Sequence, residues 1–234
     1  MTSTGDTARA AEAIAARLHA AGFSGSDVQV FVPAPRKGNL VARLRGTGAR
    51  KPILLLAHLD VVDARPEDWS VDPFQLTERD GYFYGRGTTD DKSMVSTFIA
   101  SLIRSKREGY VPERDIIVAL ETDEEIFDAR GVGIRWLLAN QRQLVDAEFA
   151  INEGGRVGLK AGKPVWNSVQ TAEKVLINYK LEVTDRGGHS PLPTQSNPIH
   201  RLAEALARLS KHRFAFKLNE TTRAFFARAA DVES

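Results

Sequence analysis

Apolar residues recur at helical spacing from Thr7 to Ala21, at Ala8, Ala11, Ile14, Ala15 and Leu18, and Gly22 supplies a stop. This pattern predicts an amphipathic surface helix. VQVFV (28–32) and NLVARLRG (39–46) read as strands, separated by the proline and glycine punctuation of PAPRKG. ILLLAHLD (53–60) is a continuous apolar run after Pro52, short enough for a strand covered on both faces. The following ARPEDWSVDPFQLTERDGYFYGRG is loop-rich, and Asp80-Gly81 marks a tight turn between short strands. Helical spacing returns over 91–109 through Met94, Val95, Phe98, Ile99, Leu102 and Ile103. DIIVALE (115–121) is a second buried strand, Gly131 to Leu138 opens a helix, and AEFAIN (147–152) is a third strand. Strand, helix, strand, helix, strand predicts an α/β layer with a largely parallel sheet.

The pattern changes near residue 172. EKVLINYKLEVT (173–184) alternates, with Val175, Ile177, Tyr179, Leu181 and Val183 on one face, and predicts a long strand with one solvated side. A glycine-rich turn leads to a helix from about Asn197, with Asn197 as cap, Pro198 in the first turn and a stripe of Ile199, Leu202, Ala203, Leu206 and Leu209. The expected division is therefore 1–172 and 173–234, the second part being the start of another domain.

With 234 residues the chain can bury a substantial core, and 42% hydrophobic with 26% charged residues is a globular composition. Lys and Arg total 32 against 30 Asp and Glu, a net charge of +2 that gives no reason to expect nucleic acid or an anionic membrane as partner. RLRGTGARK (43–51) and SKHR (210–213) lack interleaved aromatics and read as solvated surface. Zero cysteines exclude disulfides, thiolate metal sites and a cysteine nucleophile. The start has no basic segment followed by an apolar core, and no run is long enough to span a bilayer. A cytoplasmic protein is expected, with an exported parent protein staying open.

In open α/β sheets, ligand groups gather beyond the carboxyl ends of strands. His58 and Asp60 follow ILLLA, Asp90 and Asp91 follow the GRG turn, Glu124 and Glu125 follow DIIVAL, and Glu153 follows FAIN. Singly, each acidic residue reads as a solvated turn group. Together they make an oxygen-rich set with one imidazole, suited to Zn²⁺, Mn²⁺ or Co²⁺. Two divalent ions a few ångströms apart need a shared anionic ligand, for which Asp90 is the candidate. A carboxylate not committed to metal can deprotonate a water, which gives a reason for adjacent glutamates. Asp60 can accept the other ring hydrogen of His58 and fix its tautomer. Against this, His58 could simply satisfy a buried backbone group and Asp60 cap a turn.

In order, HLDVV (58–62), WSVDPF (69–74), DGYFYGRGTTDDK (80–92), TDEE (122–125) and NEGG (152–155) resemble the M20 family of dinuclear metallopeptidases, which includes carboxypeptidase, dipeptidase and aminoacylase-like enzymes. GGHS (187–190) resembles the family's second-domain signature. The resemblance implies a three-layer zinc-peptidase-like catalytic domain plus the start of an α+β lid and dimerisation domain. It further implies two divalent ions, with Zn²⁺ the first expectation, and hydrolysis of an amide bond in a small peptide or N-acyl amino acid by a homodimer. Carried over, His58 and Glu153 would bind one metal, Glu125 the other, and Asp90 would bridge them. Glu124 would be the general base, Asp60 would orient His58, and His189 would stabilise charge on the carbonyl oxygen in a partner subunit's site.

Asp91 is expected to cap the following helix, Asp123 to serve as a turn or supporting group, and Arg86 carries no assigned role. The chain departs from the family pattern at Ser93 and at IFDARG (126–131). The family also returns to the first domain with a further histidine, and neither His200 nor His212 stands in that context. A truncated form is therefore expected, and a non-catalytic metal-binding or dimerising module is the alternative reading.

Overall fold

The apolar runs read as strands assemble into one five-stranded sheet. In the computed structural model, residues 5–127, 130–171, 177–188 and 197–233 are described. The chain divides into two units, Met1–Glu153 and Gly154–Ser234. The first unit runs α1 (Thr7–Ala20), β1 (Val28–Ala34), β2 (Lys37–Leu44), β3 (Ile53–His58), β4 (Thr77–Arg79), β5 (Tyr82–Tyr84), α2 (Lys92–Arg107), β6 (Ile116–Glu121), α3 (Ile134–Asn140), α4 (Arg142–Val145) and β7 (Phe149–Ile151).

β3 is parallel to both β6 and β7, whereas β2 joins β6 antiparallel and β1 closes the edge as a hairpin with β2. PAPRKG does not separate these two strands as a loop. β1 runs through Pro33 to Ala34, which an edge strand tolerates, and only Pro35 and Arg36 remain as the turn, Arg36 at φ 64°.

The period-2 alternation explains the layers. Leu40, Ala42 and Leu44 of β2, Val118 and Leu120 of β6 and Ala57 of β3 face α1 and α2, where Ala11, Ala15, Leu18, Val95, Ile99 and Leu102 meet them. Their neighbours Val41, Ile117, Ala119 and Leu54 face Leu137 of α3 and Val145 of α4. The strands read as continuous apolar runs because both faces are covered. Helices above and below the sheet give the expected three layers of an α/β fold. Asp80 and Gly81 form the turn between β4 and β5, both at positive φ (53° and 77°) as a two-residue hairpin requires.

The second unit contains a hairpin, β8 (Arg156–Lys160) with β9 (Lys163–Ser168), and the helices α5 (Pro198–Lys211) and α6 (Glu220–Glu233). The hairpin and α6 have no counterpart among the predicted elements. Asn197 caps α5 as expected, its side-chain oxygen accepting from the Ile199 N–H at 2.8 Å.

The strand expected over 173–184 is a different matter. Residues 172–176 lie outside the described residues, and 177–184 adopt no strand, with Ile177 61% and Tyr179 84% exposed. Alternation supplies a face but no bonded neighbour, and no described strand pairs with this segment. Among the described residues, no helix is long and apolar enough to cross a membrane.

Candidate metal centre

The parallel half of the sheet brings the candidate groups together. β3 lies between β6 and β7, with His58 opposite Glu121 and Leu55 opposite Ile151. His58 and Asp60, Glu124 and Glu125, and Glu153 therefore leave the same sheet edge, where open α/β sheets hold ligands. The start of α2 adds Asp90 and Asp91, joined by a cis peptide bond.

His58 sits at the centre and is only 2% exposed. Its Nε2 lies 2.8 Å from Asp90 Oδ1, 3.8 Å from Glu153 Oε1 and 4.0 Å from Glu124 Oε2. Two groups of donor atoms lie within 4.8 Å of one another: His58 with Asp90 and Glu125, and His58 with Asp91 and Glu153. Glu124 belongs to neither group.

On the other side of the ring, Nδ1 is 3.0 Å from the Asp60 carbonyl oxygen and 3.5 Å from its carboxylate. The nearer ring partner is thus the backbone of Asp60. Its carboxylate accepts the N–H groups of Glu124 and Glu125, each at 3.1 Å, and so fixes the turn that carries both glutamates.

Asp91 corrects an expectation. It occupies the N-cap position of α2 but makes no capping hydrogen bond. Its carboxylate, 3% exposed as a residue, instead accepts the His58 backbone N–H at 3.3 Å, which directs it toward β3 and into the second donor group. Lys92 donates to the Leu59 carbonyl at 2.8 Å; burial depresses its pKa against the pull of Asp60 and Asp91. The Arg86 guanidinium lies over the Trp69 ring at 5.3 Å, and the Arg86 backbone N–H donates to the Pro73 carbonyl at 2.6 Å, tying the 69–74 loop to the strand pair.

The electrostatics are those of a crowded anionic site. Burial raises the Glu124, Glu125 and Asp91 carboxyls above the usual carboxylate range, and neighbouring carboxylates add to this. Glu153 is pushed up to about 7 by burial, offset by His58 and reinforced by Asp90, Asp91 and Glu124. Burial works against a charged His58, but hydrogen bonding and attraction from Asp60, then Glu124 and Asp90, prevail and hold the ring at about 10. Asp60 moves the other way: burial opposes ionisation, and its bonds to His58 and to the turn outweigh that. An excess of carboxylates around one imidazole, several with raised pKa values, matches the donor chemistry of a divalent cation.

A model of the peptidase family M20/M25/M40 matches residues 54–229. The chain belongs to this family. Over 165 residues it is 41% identical to the N-fatty-acyl-amino acid synthase/hydrolase PM20D1 of Xenopus tropicalis, which covers 69% of this chain and 32% of that protein. Over 226 residues it is 31% identical to the succinyl-diaminopimelate desuccinylase of Delftia acidovorans, covering 90% of this chain and 54% of that protein. The M20 family metallo-carboxypeptidase Sso-CP2 from Sulfolobus solfataricus shares the fold, with a TM-score of 0.51 at 20% identity over 62% of this chain and 32% of that one. The M20 chain thus spans between about a third and about half the length of these relatives.

Of the site residues expected from sequence, His58, Asp60, Asp90, Glu124, Glu125 and Glu153 come together. His189 lies outside the described residues. Sequence reasoning missed the support under the turn: Lys37, 1% exposed, pairs with the fully buried Asp123 at 2.6 Å, and Asn39 accepts the Thr122 N–H at 3.0 Å. Lys37 falls in PAPRKG, whose punctuation reads as surface turn, and Asn39 is a polar residue at the start of the expected strand, so no periodicity marked either as interior.

Proposed function

We propose that this M20 chain carries the metal-binding half of a hydrolase that cleaves an amide bond in a small peptide or N-acyl amino acid. The observation that carries the reading is the convergence of His58 with the carboxylates of Asp90, Asp91, Glu125 and Glu153 at one sheet edge, beside a Glu124 outside both donor groups. The donor set fits two divalent ions, Zn²⁺ first and Mn²⁺ or Co²⁺ by the same oxygen and imidazole chemistry. His58, Asp90, Glu125 and Glu153 would hold them, with Asp90 as the shared ligand. When bound, such ions polarise a carbonyl and make water a stronger acid.

The residues divide the remaining work. Glu124 takes a proton from the attacking water at its carboxylate and delivers it to the leaving nitrogen. Burial already raises its pKa, which makes the carboxylate a stronger base toward that water. Asp60 holds the His58 ring through its carbonyl and the Glu124–Glu125 turn through its carboxylate. An apolar cavity of about 710 Å³ lined by Val61, Pro73, Phe74, Leu76, Phe83 and Lys92 begins one residue away from Asp60 and from Asp91. It suits an acyl chain or an apolar side chain of the substrate. The lid and homodimer assigned to residues from 173 onward, with His189 stabilising carbonyl charge in a second copy, rest on the GGHS resemblance.

The test is a Zn²⁺ or Mn²⁺ titration of the full chain, read for metal-to-protein ratio and for hydrolysis of N-acyl amino acids and dipeptides. Metal uptake with turnover that Glu124→Gln abolishes while metal is retained supports the reading. A folded sample that binds no divalent ion overturns it, and stoichiometric metal without turnover favours a non-catalytic module.

A further inference from the structure

The turn bearing Glu124 and Glu125 is gripped at two points. Asp60 holds its N–H groups on the site face. Asp123, the residue before the two glutamates, belongs to a buried ion pair that no proposed catalytic step uses. Lys37 Nζ lies 2.6 Å from Asp123 Oδ1, with side chains 2% and 0% exposed. The lysine comes from the first residue of β2, at the tip of the β1-β2 hairpin.

Replacing a buried ion pair by apolar residues of similar volume is often neutral or stabilising, so stability alone does not explain this one. Its place does. Asp123 immediately precedes Glu124 and stands at φ 64°, in the left-handed region that few residues other than glycine, asparagine and aspartate enter readily. Residues around it are tied to the same hairpin. Thr122 N–H donates to Asn39 Oδ1 at 3.0 Å, and Thr122 Oγ1 lies 2.7 Å from Thr7 Oγ1 at the start of α1. α1 in turn rests directly on the hairpin, since a Cβ on Gly38 would meet Ala8 Cα at 2.5 Å.

We propose that Lys37 and Asp123 are positioning residues: their ion pair holds Asp123 in its left-handed conformation and so sets the direction in which the Glu124 and Glu125 carboxylates leave β6. The inference rests on the metal reading above. Lys37 and Asp123 touch neither ion nor substrate and act through the backbone of residues 123–125. Supporting groups of this kind tune a site by fixing the orientation of its ligands.

The test compares the full-length wild type with Lys37→Met/Asp123→Asn, which removes both charges together and keeps a residue tolerant of positive φ at 123. Removing both avoids the unpaired buried charge that Lys37→Met alone would leave. Zn²⁺ affinity is measured by competition with a chelating fluorophore at pH 8, alongside thermal melting. The double variant should melt close to wild type and bind Zn²⁺ about 10- to 100-fold more weakly.

Arg43→Met/Asp115→Asn provides the control. It removes a half-buried pair (2.8 Å) at the far end of β2 and β6, and should lower the melting temperature without changing Zn²⁺ affinity. Zn²⁺ affinity within about twofold of wild type in the folded Lys37/Asp123 variant, or an equal loss in the control, overturns the inference alone. Absence of Zn²⁺ uptake by the wild type overturns the metal reading and this inference with it.

Discussion

Metal uptake at this centre should displace protons, first of all from His58. Without metal, the His58 ring is held at about 10, so at pH 8 only about one ring in a hundred is neutral and able to donate Nε2. Each pH unit below that value should weaken apparent affinity about tenfold. Glu153, held at about 7, adds a second proton as pH falls through neutrality. Lowering the pH from 8 to 6 should therefore cost about 100-fold through His58 alone and up to about 1,000-fold with Glu153. The second share is an upper bound, because the Glu153 side chain is 36% exposed and solvent screens its neighbours. Calorimetric Zn²⁺ titrations in buffers of different ionisation enthalpy count the protons released: about one at pH 8, and more than one at pH 6. Glu153→Gln should flatten the acid limb while leaving the slope due to His58. If affinity changes by less than about tenfold between pH 6 and 8 with no proton release, His58 is not the ligand displaced and the site assignment fails.

The same pKa values predict stability. For metal-free protein, the His58 contribution is fully present below its ordinary value of 6.5 and lost as pH rises through about 10, so the melting temperature of chelator-treated protein should fall across that window and Zn²⁺ should flatten the fall. Glu124→Gln should retain Zn²⁺ while losing about 10²- to 10⁴-fold in amide hydrolysis, read from steady-state rates on an N-acyl amino acid. Asp60→Asn turns one of two acceptors toward the turn into a donor; a loss of about 1–3 kcal/mol in urea unfolding and weaker metal binding are expected. Gly38→Ala forces a Cβ to 2.5 Å from Ala8 Cα and should cost about 1–3 kcal/mol, detected as a lower urea midpoint.

Much of the first unit was legible because burial on both sheet faces writes itself as unbroken apolar runs. ILLLAH and IIVALE could hardly be anything but covered strands, and their polar successors had to collect at one edge once the strands were parallel. What escaped was contact between residues far apart in the chain. Asp91 looked like a cap because local pattern sees only α2, whereas its partner is a β3 backbone N–H 33 residues away. Lys37 is 86 residues from Asp123, and nothing local distinguishes a buried lysine from a solvated one. The described part of the expected strand, 177–184, fails in the reverse direction. Its alternation is real, but a strand exists only with a neighbour, and the described residues supply none.

These observations bear on how a site so unfavourable in itself persists. Asp90, Asp91, Glu124, Glu125 and Glu153 crowd one imidazole, and without a cation their repulsion favours any motion that separates them. The most direct escape would be for the short turn after β6 to swing outward. That turn is held by several contacts: Asn39 on Thr122, Lys37 on Asp123, and Asp60 on both glutamate N–H groups. Asp90 is the opposite case, 59% exposed and held by His58 Nε2, the atom a metal would claim. The protein thus fixes the turn from the sheet and leaves Asp90, the proposed shared ligand, with an exposed side chain. Ordering the glutamates in advance lowers the conformational cost of binding an ion, whereas the Asp90–His58 bond must open for an ion to enter.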